Sequence, residues 1–405
     1  MLATLEEGVK GGKWFSLVDK VYAERTLRLA WERVRRNHGS AGVDRQSIEA
    51  FAARAERNLA ELARDLREGT YRPQSVRRVT IPKPGRPEKR PLGIPTVKDR
   101  VVQTALKLVL EPIWEVSFAE QSYGFRPGRG CKDALRRVVE LMEGGATWVV
   151  EVDLKSYFDS IPHSWLMREV EKRVADGRVL ELLRAYLSQK VMEGLEQWEP
   201  EAGTPQGAVI SPLLANIYLD PLDQAMMEQG YQMVRYADDM VVLCRSREEA
   251  DMVLELLGEW VGAHGLTLHP EKTRIVDASQ RGGFDFLGYH FERGMRWPSE
   301  MSVKQFRAAI RIKTKRTNGH SLATIVGEVN PIIRGWFEYF KHSQRTTFRG
   351  PDGWVRMRLR SILRRRNHGE GRGRGADHQR WPNAYFAKQG LFTMTTAFAL
   401  ASQSR

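Results

Sequence analysis

Met233-Val-Arg-Tyr-Ala-Asp-Asp-Met-Val-Val-Leu-Cys244 places two short apolar runs, 233–236 and 240–244, on either side of Asp238-Asp239. Such runs around turn-forming residues predict a β-hairpin with both carboxylates at its tip. Adjacent carboxylates repel at neutral pH, and a divalent cation is the simplest compensation. A third acid ends the apolar strand Trp148-Val-Val-Glu-Val-Asp153. Asp153 on that strand, beside Asp238 and Asp239, has the make-up of a two-metal phosphoryl-transfer site, and carboxylate oxygens suit Mg²⁺. Asp is also a common turn former, so the tetrad alone leaves a solvated turn open. Its neighbours decide.

Working outward, the chain has 405 residues, enough for two or three domains and a sizeable core. No early basic-then-apolar stretch and no uncharged apolar run of about 18 residues occurs, which argues against export and a membrane span. Cys131 and Cys244 offer no ligand pair and point to free thiols in a reducing cytoplasm. The net charge of +14 is concentrated: residues 301–405 hold 21 Lys+Arg against 5 Asp+Glu. A basic last quarter behind a near-neutral remainder is expected of a polyanion-binding module, with nucleic acid the favoured partner.

Before the hairpin, Leu27, Ala30, Trp31 and Val34 share one face of a helix within 20–37. Ile48, Phe51, Ala55, Leu59, Leu62 and Leu66 share another that ends at Gly69. Residues 71–100 hold nine bases, two acids and six prolines, and 79–95 predict a β-ribbon whose loop presents Lys83, Arg86, Lys89 and Arg90 to phosphates. A helix over 97–116 is bent or restarted at Pro112. The aromatic, glycine and arginine loop 122–129 leads into a helix through Ala134, Leu135 and Val138. Phe158, five residues past Asp153, is placed either to pack under a nucleotide sugar and exclude a 2′-hydroxyl or to fill the core. Gln206 lies in a glycine-framed loop where backbone approaches a ligand closely.

After the hairpin, Ser246 and Glu249 cap a helix, followed by a strand at 266–268 and an alternating strand over 284–291. Ser302 and Gln305 open a basic helix bearing Arg307, Arg311, Lys313, Lys315 and Arg316. Aromatics and bases then interleave over 330–341, with Trp336 and Phe340 assigned to the core and Arg334 and Lys341 to RNA. Arg356, Arg358, Arg360, Arg364, Arg365 and Arg366 are expected to extend the basic surface, and 369–375 to be a flexible loop.

Taken in order, Arg90-Pro-Leu-Gly-Ile-Pro-Thr-Val-Lys-Asp-Arg100, the 122–129 loop, Val152-Asp-Leu-Lys-Ser-Tyr-Phe-Asp159, Thr204-Pro-Gln-Gly207, Tyr236-Ala-Asp-Asp239, the 266–273 segment and Phe286-Leu-Gly-Tyr289 resemble a bacterial group II intron reverse transcriptase/maturase. Residues 330–341 and the arginine-rich helix after them resemble that family's maturase domain. The resemblance implies an α+β right-hand polymerase, with antiparallel sheet in fingers and palm, followed by an α-helical thumb and maturase domain. The implied boundaries are 1–70 for an extension of the fingers, 71–300 for fingers and palm, and 301–405 for the basic RNA-binding part. It implies that Asp153, Asp238 and Asp239, with the Leu154 carbonyl, hold two Mg²⁺ ions. It also implies that Lys83, Arg90, Phe158 and Gln206 meet the deoxynucleoside triphosphate and that the 39–44 turn closes over the template. Arg311, Lys315, Arg334, Lys341, Arg364, Arg365 and Arg366 become candidate RNA contacts. No cysteine follows Cys244, so the zinc-supported H-N-H endonuclease domain of many relatives is not expected.

The implied activity is RNA-directed DNA synthesis on a primed RNA template, joined to intron RNA binding, splicing and insertion into target DNA. The expected location is a bacterial cytoplasm, on the nucleoid when the protein acts on DNA. A domesticated polymerase of DNA repair or phage defence shares the same palm. A non-polymerising splicing cofactor has no need to keep all three aspartates. Monomer and homodimer both remain compatible with the sequence.

Overall fold

The protein is described here by a computed structural model over residues 12–82, 89–194 and 196–403. The described residues up to Val276 gather into one compact unit, and those from Asp277 onward into a second.

The first unit begins with the helices Val18–Val21, Glu24–Arg36, Ile48–Ala52 and Ala55–Glu68. The expected apolar stripes are buried, but the single helix foreseen over 48–66 breaks at Ala53-Arg54. Its second half restarts with the stripe on the same side, so the periodicity runs through the break unmarked. Val97–Glu115 forms one helix whose side chains are buried on nearly every face; Thr96 caps it, and Pro112 lies inside without restarting it.

Strands follow in chain order as β1 (Val76–Pro82), β2 (Lys89–Ile94), β3 (Trp148–Asp153), β4 (Val191–Glu193), β5 (Glu196–Trp198), β6 (Gln232–Tyr236), β7 (Asp239–Cys244) and β8 (Arg274–Asp277). One sheet has the order β2-β1-β4-β5, in which β1 and β2 are the expected antiparallel ribbon. The other has the order β6-β7-β3-β8. Val149, Val150, Val152, Met240, Val241, Val242 and Leu243 make its centre an apolar slab. The helices Ser211–Glu228 and Arg247–Ala263 pack on this sheet, and the latter carries the expected Ser246 cap, with Glu249 N–H donating to Ser246 Oγ at 3.2 Å. The strand expected at 266–268 is only a single bridge, Leu268 to Leu154; the ladder forms later, at β8.

In the second unit the alternation over 284–291 is two strands rather than one. β9 (Phe284–Phe286) and β10 (Tyr289–Glu292) turn back at Leu287-Gly288, where φ is +46° and +81°, and β11 (Met295–Pro298) completes an antiparallel sheet. The following helix is Glu300–Lys313, capped by Ser299 and not by Ser302, whose hydroxyl donates to Gly288 O at 2.8 Å. Leu322–Phe340, Arg349–Arg366, Ala376–Arg380, Asn383–Lys388 and Met394–Gln403 complete the helical set. Phe306, Ile310, Ile333, Phe337, Phe340, Phe348, Leu359 and Phe386 are buried within it. Among the described residues, no helix is long and apolar enough to cross a membrane.

Candidate active site

The tip of the β6–β7 hairpin lies at one end of the four-stranded sheet. The turn residues are Ala237 and Asp238. Asp239, expected in the turn itself, is already the first residue of β7 and pairs with Tyr236. On its other side Asp239 stands opposite Asp153, the last residue of β3. Directly opposed residues in an antiparallel pair hold their Cβ atoms about 5 Å apart. The register therefore brings Asp153, Asp238 and Asp239 together.

Their electrostatics follow from that crowding. Burial in the recess, then the charges of Asp238 and Asp153, push the Asp239 carboxyl from an ordinary 3.8 up to about 6, although its side chain reaches solvent. Burial, then Asp153, also raises Asp238. Lys272 partly relieves the cluster, its ammonium lying 3.1 and 3.0 Å from the two Asp153 oxygens. Among the described residues no three acidic, His or Cys side chains converge tightly enough to hold a metal ion as they stand. The donor set nonetheless fits a hard divalent cation: clustered carboxylates with unrelieved negative charge and one displaceable ammonium. At Leu154, His269 N–H donates to Asp153 O at 2.8 Å and Lys155 N–H to Thr267 O at 2.9 Å, so the bridge to Leu268 bypasses the Leu154 carbonyl.

The acidic turn is braced from beneath by residues that sequence reasoning did not single out. Arg235 is fully buried, paired with the equally buried Asp223, and donates to Asn216 Oδ1 at 3.0 Å, Ser122 Oγ at 2.8 Å and Ala237 O at 2.9 Å. Ala237 has φ +59°, a left-handed conformation costly for a residue with a Cβ. Gly124 presses against it so closely that a Cβ there would come within 2.1 Å of Ala237 N. A charged residue in an apolar strand was the one available signal, yet its partner lies on another element.

The nucleotide-binding candidates are partly gathered. The loop carrying Gln206 is tied to the ribbon by Gly93 N–H donating to Gln206 O at 2.6 Å, and to Phe158 by Thr204 N–H donating to its carbonyl at 2.7 Å. Phe158 is half-buried, packed against the core on one side and edge-on to Phe125 on the other. A cavity of about 290 Å³ adjoins them, lined among others by Arg78, Gly93, Asp159, Trp198 and Gln206. Arg90 is exposed on β2, about 10 Å along the strand from Gly93 at the usual rise per residue. Lys83 and Arg86 lie outside the described residues. The 39–44 turn is fastened down, with Arg77 donating to Ala41 O at 2.7 Å and Arg100 to Ser40 O at 2.7 Å.

The basic candidates of the second unit separate into two kinds. Arg311 and Lys315 are exposed, and Arg307 and Arg311 flank the Trp354 ring at 5.8 and 5.7 Å. Arg365 and Arg366 are exposed as well. Arg334 lies over the Phe392 ring, Lys341 pairs with Glu338, and half-buried Arg364 is held by Asp377 at 2.6 Å. Arg360, expected on the basic surface, is buried; its guanidinium donates to Trp381 O and Asn383 Oδ1 and stitches two helices together.

Comparison with known proteins identifies the family. Residues 81–291 match the family model of reverse transcriptase (RNA-dependent DNA polymerase), and residues 303–381 match that of the group II intron maturase-specific domain. Protein YkfC of Escherichia coli is 36% identical over 308 residues, covering 65% of this chain and 78% of YkfC. The group II intron-encoded protein LtrA of Lactococcus lactis is 37% identical over 215 residues, covering 53% of this chain and 35% of LtrA. Among solved structures, telomerase from Candida albicans with a fragment of telomeric RNA aligns over 78% of this chain and 64% of its own, at 12% identity and a TM-score of 0.45. A polymerase domain that carries the three aspartates, followed by a maturase-specific domain, places the chain in the family of group II intron-encoded reverse transcriptases/maturases, which are RNA-directed DNA polymerases.

Proposed function

We propose that this chain extends a DNA primer on an RNA template by two-metal nucleotidyl transfer, and binds intron RNA to assist splicing and retrohoming into target DNA. The observation that carries the reading is the register that sets Asp153 opposite Asp239 at one end of the sheet, with Asp238 next to it in the hairpin turn. Asp153, Asp238, Asp239 and the Leu154 carbonyl would hold Mg²⁺. Two such ions, when bound, activate the primer 3′-hydroxyl and neutralise charge on the departing pyrophosphate. The protein's own part is positioning. The β3–β7 register fixes the carboxylates, Arg235 and Gly124 fix the turn, and Gln206 and Phe158 face the nucleotide while Arg90 meets its phosphates.

In this reading, fingers and palm occupy 71–300 behind an N-terminal extension, and 301–405 form the thumb and maturase part. The deciding experiment is primer extension on an RNA template with Mg²⁺ and deoxynucleotides. Full-length DNA product is expected; absence of extension together with tight RNA binding would replace the polymerase by a splicing cofactor.

Arg365 offers a separate test of the RNA face. It is exposed and last-turn basic on Arg349–Arg366, whereas its neighbour Arg364 is committed to Asp377. Each phosphate that a side chain no longer neutralises lowers the slope of log affinity against log salt by about one. Arg365→Ala is expected to weaken RNA binding and reduce that slope by about one in filter binding across a salt series. Arg364→Ala is expected to lower thermal stability while leaving the slope nearly unchanged.

A further inference from the structure

Phe125 is a large apolar side chain that the fold does not use as core. It is 42% exposed. Its backbone has φ +60°, a left-handed conformation that disfavours every residue with a Cβ and that glycine would adopt freely. Neither backbone preference nor apolar burial explains a phenylalanine there.

Its neighbours hold it in that conformation from both sides. Gly124 is locked against Ala237 of the acidic turn, and its carbonyl accepts from Asn216 Nδ2 at 2.8 Å. Arg126 is buried, clasps the Glu115 carboxylate at 2.8 Å, and donates to Ala119 O at 2.7 Å and Ser122 O at 2.9 Å. The loop is thus over-determined, as strained residues at binding sites are. It delivers the Phe125 ring to Phe158, centroids 6.3 Å apart and planes at 76°. Phe158 in turn sits edge-on to buried Tyr157 at 5.5 Å, and its carbonyl accepts from Thr204 beside Gln206. Phe125 therefore bridges the turn that bears the carboxylates and the ring expected to meet the sugar.

We infer that Phe125 is a specificity-determining residue, the second aromatic wall of the nucleotide pocket. Its exposed face is covered by the sugar of the deoxynucleotide, and its edge keeps Phe158 from turning aside to admit a 2′-hydroxyl. The inference rests on the reading of Phe158 as the sugar-facing residue, and the test separates the two.

The measurement is the ratio of deoxynucleotide to ribonucleotide incorporation efficiency on one primed RNA template, for Phe125→Ala, Phe125→Gly, Phe158→Ala and the double Phe125→Ala/Phe158→Ala. Loss of an aromatic pair is expected to lower this selectivity about threefold to tenfold in Phe125→Ala. A larger drop is expected in Phe158→Ala, and none beyond it in the double variant. Phe125→Gly suits the left-handed backbone, so it is expected to keep or raise the melting temperature while losing selectivity equally. That combination excludes a merely structural role. Unchanged selectivity in both Phe125 variants overturns the inference. If Phe158→Ala then still loses selectivity, the reading of Phe158 stands alone; if it does not, both fall. Equal, additive losses in the double variant would also overturn the paired wall.

Discussion

Asp238→Asn is expected to abolish DNA synthesis on an RNA template, by on the order of 10³-fold or more, comparable to removing a principal charge-stabilising group from other active sites. RNA binding is expected to survive, because the exposed bases Arg311, Lys315 and Arg365 are separate in the chain from the hairpin. The fold is expected to survive too. The turn is held by Arg235 and by the approach of Gly124, not by the Asp238 carboxylate, and asparagine has nearly the same shape.

A second readout needs no turnover. Asp239 titrates near 6 in the folded protein against an ordinary 3.8, so the folded state binds more protons between those values. Stability of the metal-free protein therefore falls as pH rises from about 4 to about 6, and the cost is fully present above that window. Asp238→Asn removes one of the charges responsible and is expected to shrink the fall. Above pH 6, Mg²⁺ is expected to raise the melting temperature of the wild type and to do so much less in the variant. Undiminished extension by Asp238→Asn, or an equal Mg²⁺ response in both proteins, would remove the carboxylates from the metal role.

How much of this was legible in the sequence depended on the range of the interaction. The hairpin, the β1–β2 ribbon and the apolar stripes are local patterns with a period, and they emerged where expected. Asp153 and Asp239 were marked as partners by chemistry, and their pairing then followed from the sheet. Periodicity misled where a pattern crosses a turn. Phe284 to Phe291 reads as one alternating run only if the slip at Leu287-Gly288 is overlooked, where the apolar phase moves from 284 and 286 to 289 and 291 and the chain turns back. The same holds at Ala53-Arg54, where a continuous stripe hides two helices. At 266–268 the apolar residues suggested a strand, whereas the real ladder at β8 carries Arg274 and Asp277. Charge runs were equally blind to burial. Arg360 counts toward a basic surface until Trp381 and Asn383, some twenty residues on, fold back to accept its hydrogen bonds. Lys272 on Asp153, 119 residues apart, belongs to the same class.

Arg235→Met is expected to cost about 3–5 kcal/mol of stability, because it strands the fully buried Asp223 carboxylate without its partner. Urea unfolding measures this directly. That loss alone does not distinguish a structural ion pair from one that aims the acidic turn, so the compensated variant matters more. In Arg235→Met/Asp223→Leu both charges are gone and similar apolar volume takes their place. Such replacements are often neutral or stabilising, so most of the lost stability is expected to return. The hydrogen bond to Ala237 O does not return. With it goes the support of a left-handed residue immediately before Asp238, and the carboxylates are free to drift relative to Asp153. A displacement of about 1 Å in a positioned group costs about 10²-fold in rate. The double variant is therefore expected to unfold near the wild-type urea concentration yet extend primers about 10²-fold more slowly. If rate recovers along with stability, Arg235 serves the fold alone, and the turn is aimed by Gly124 and the β-ladder without it.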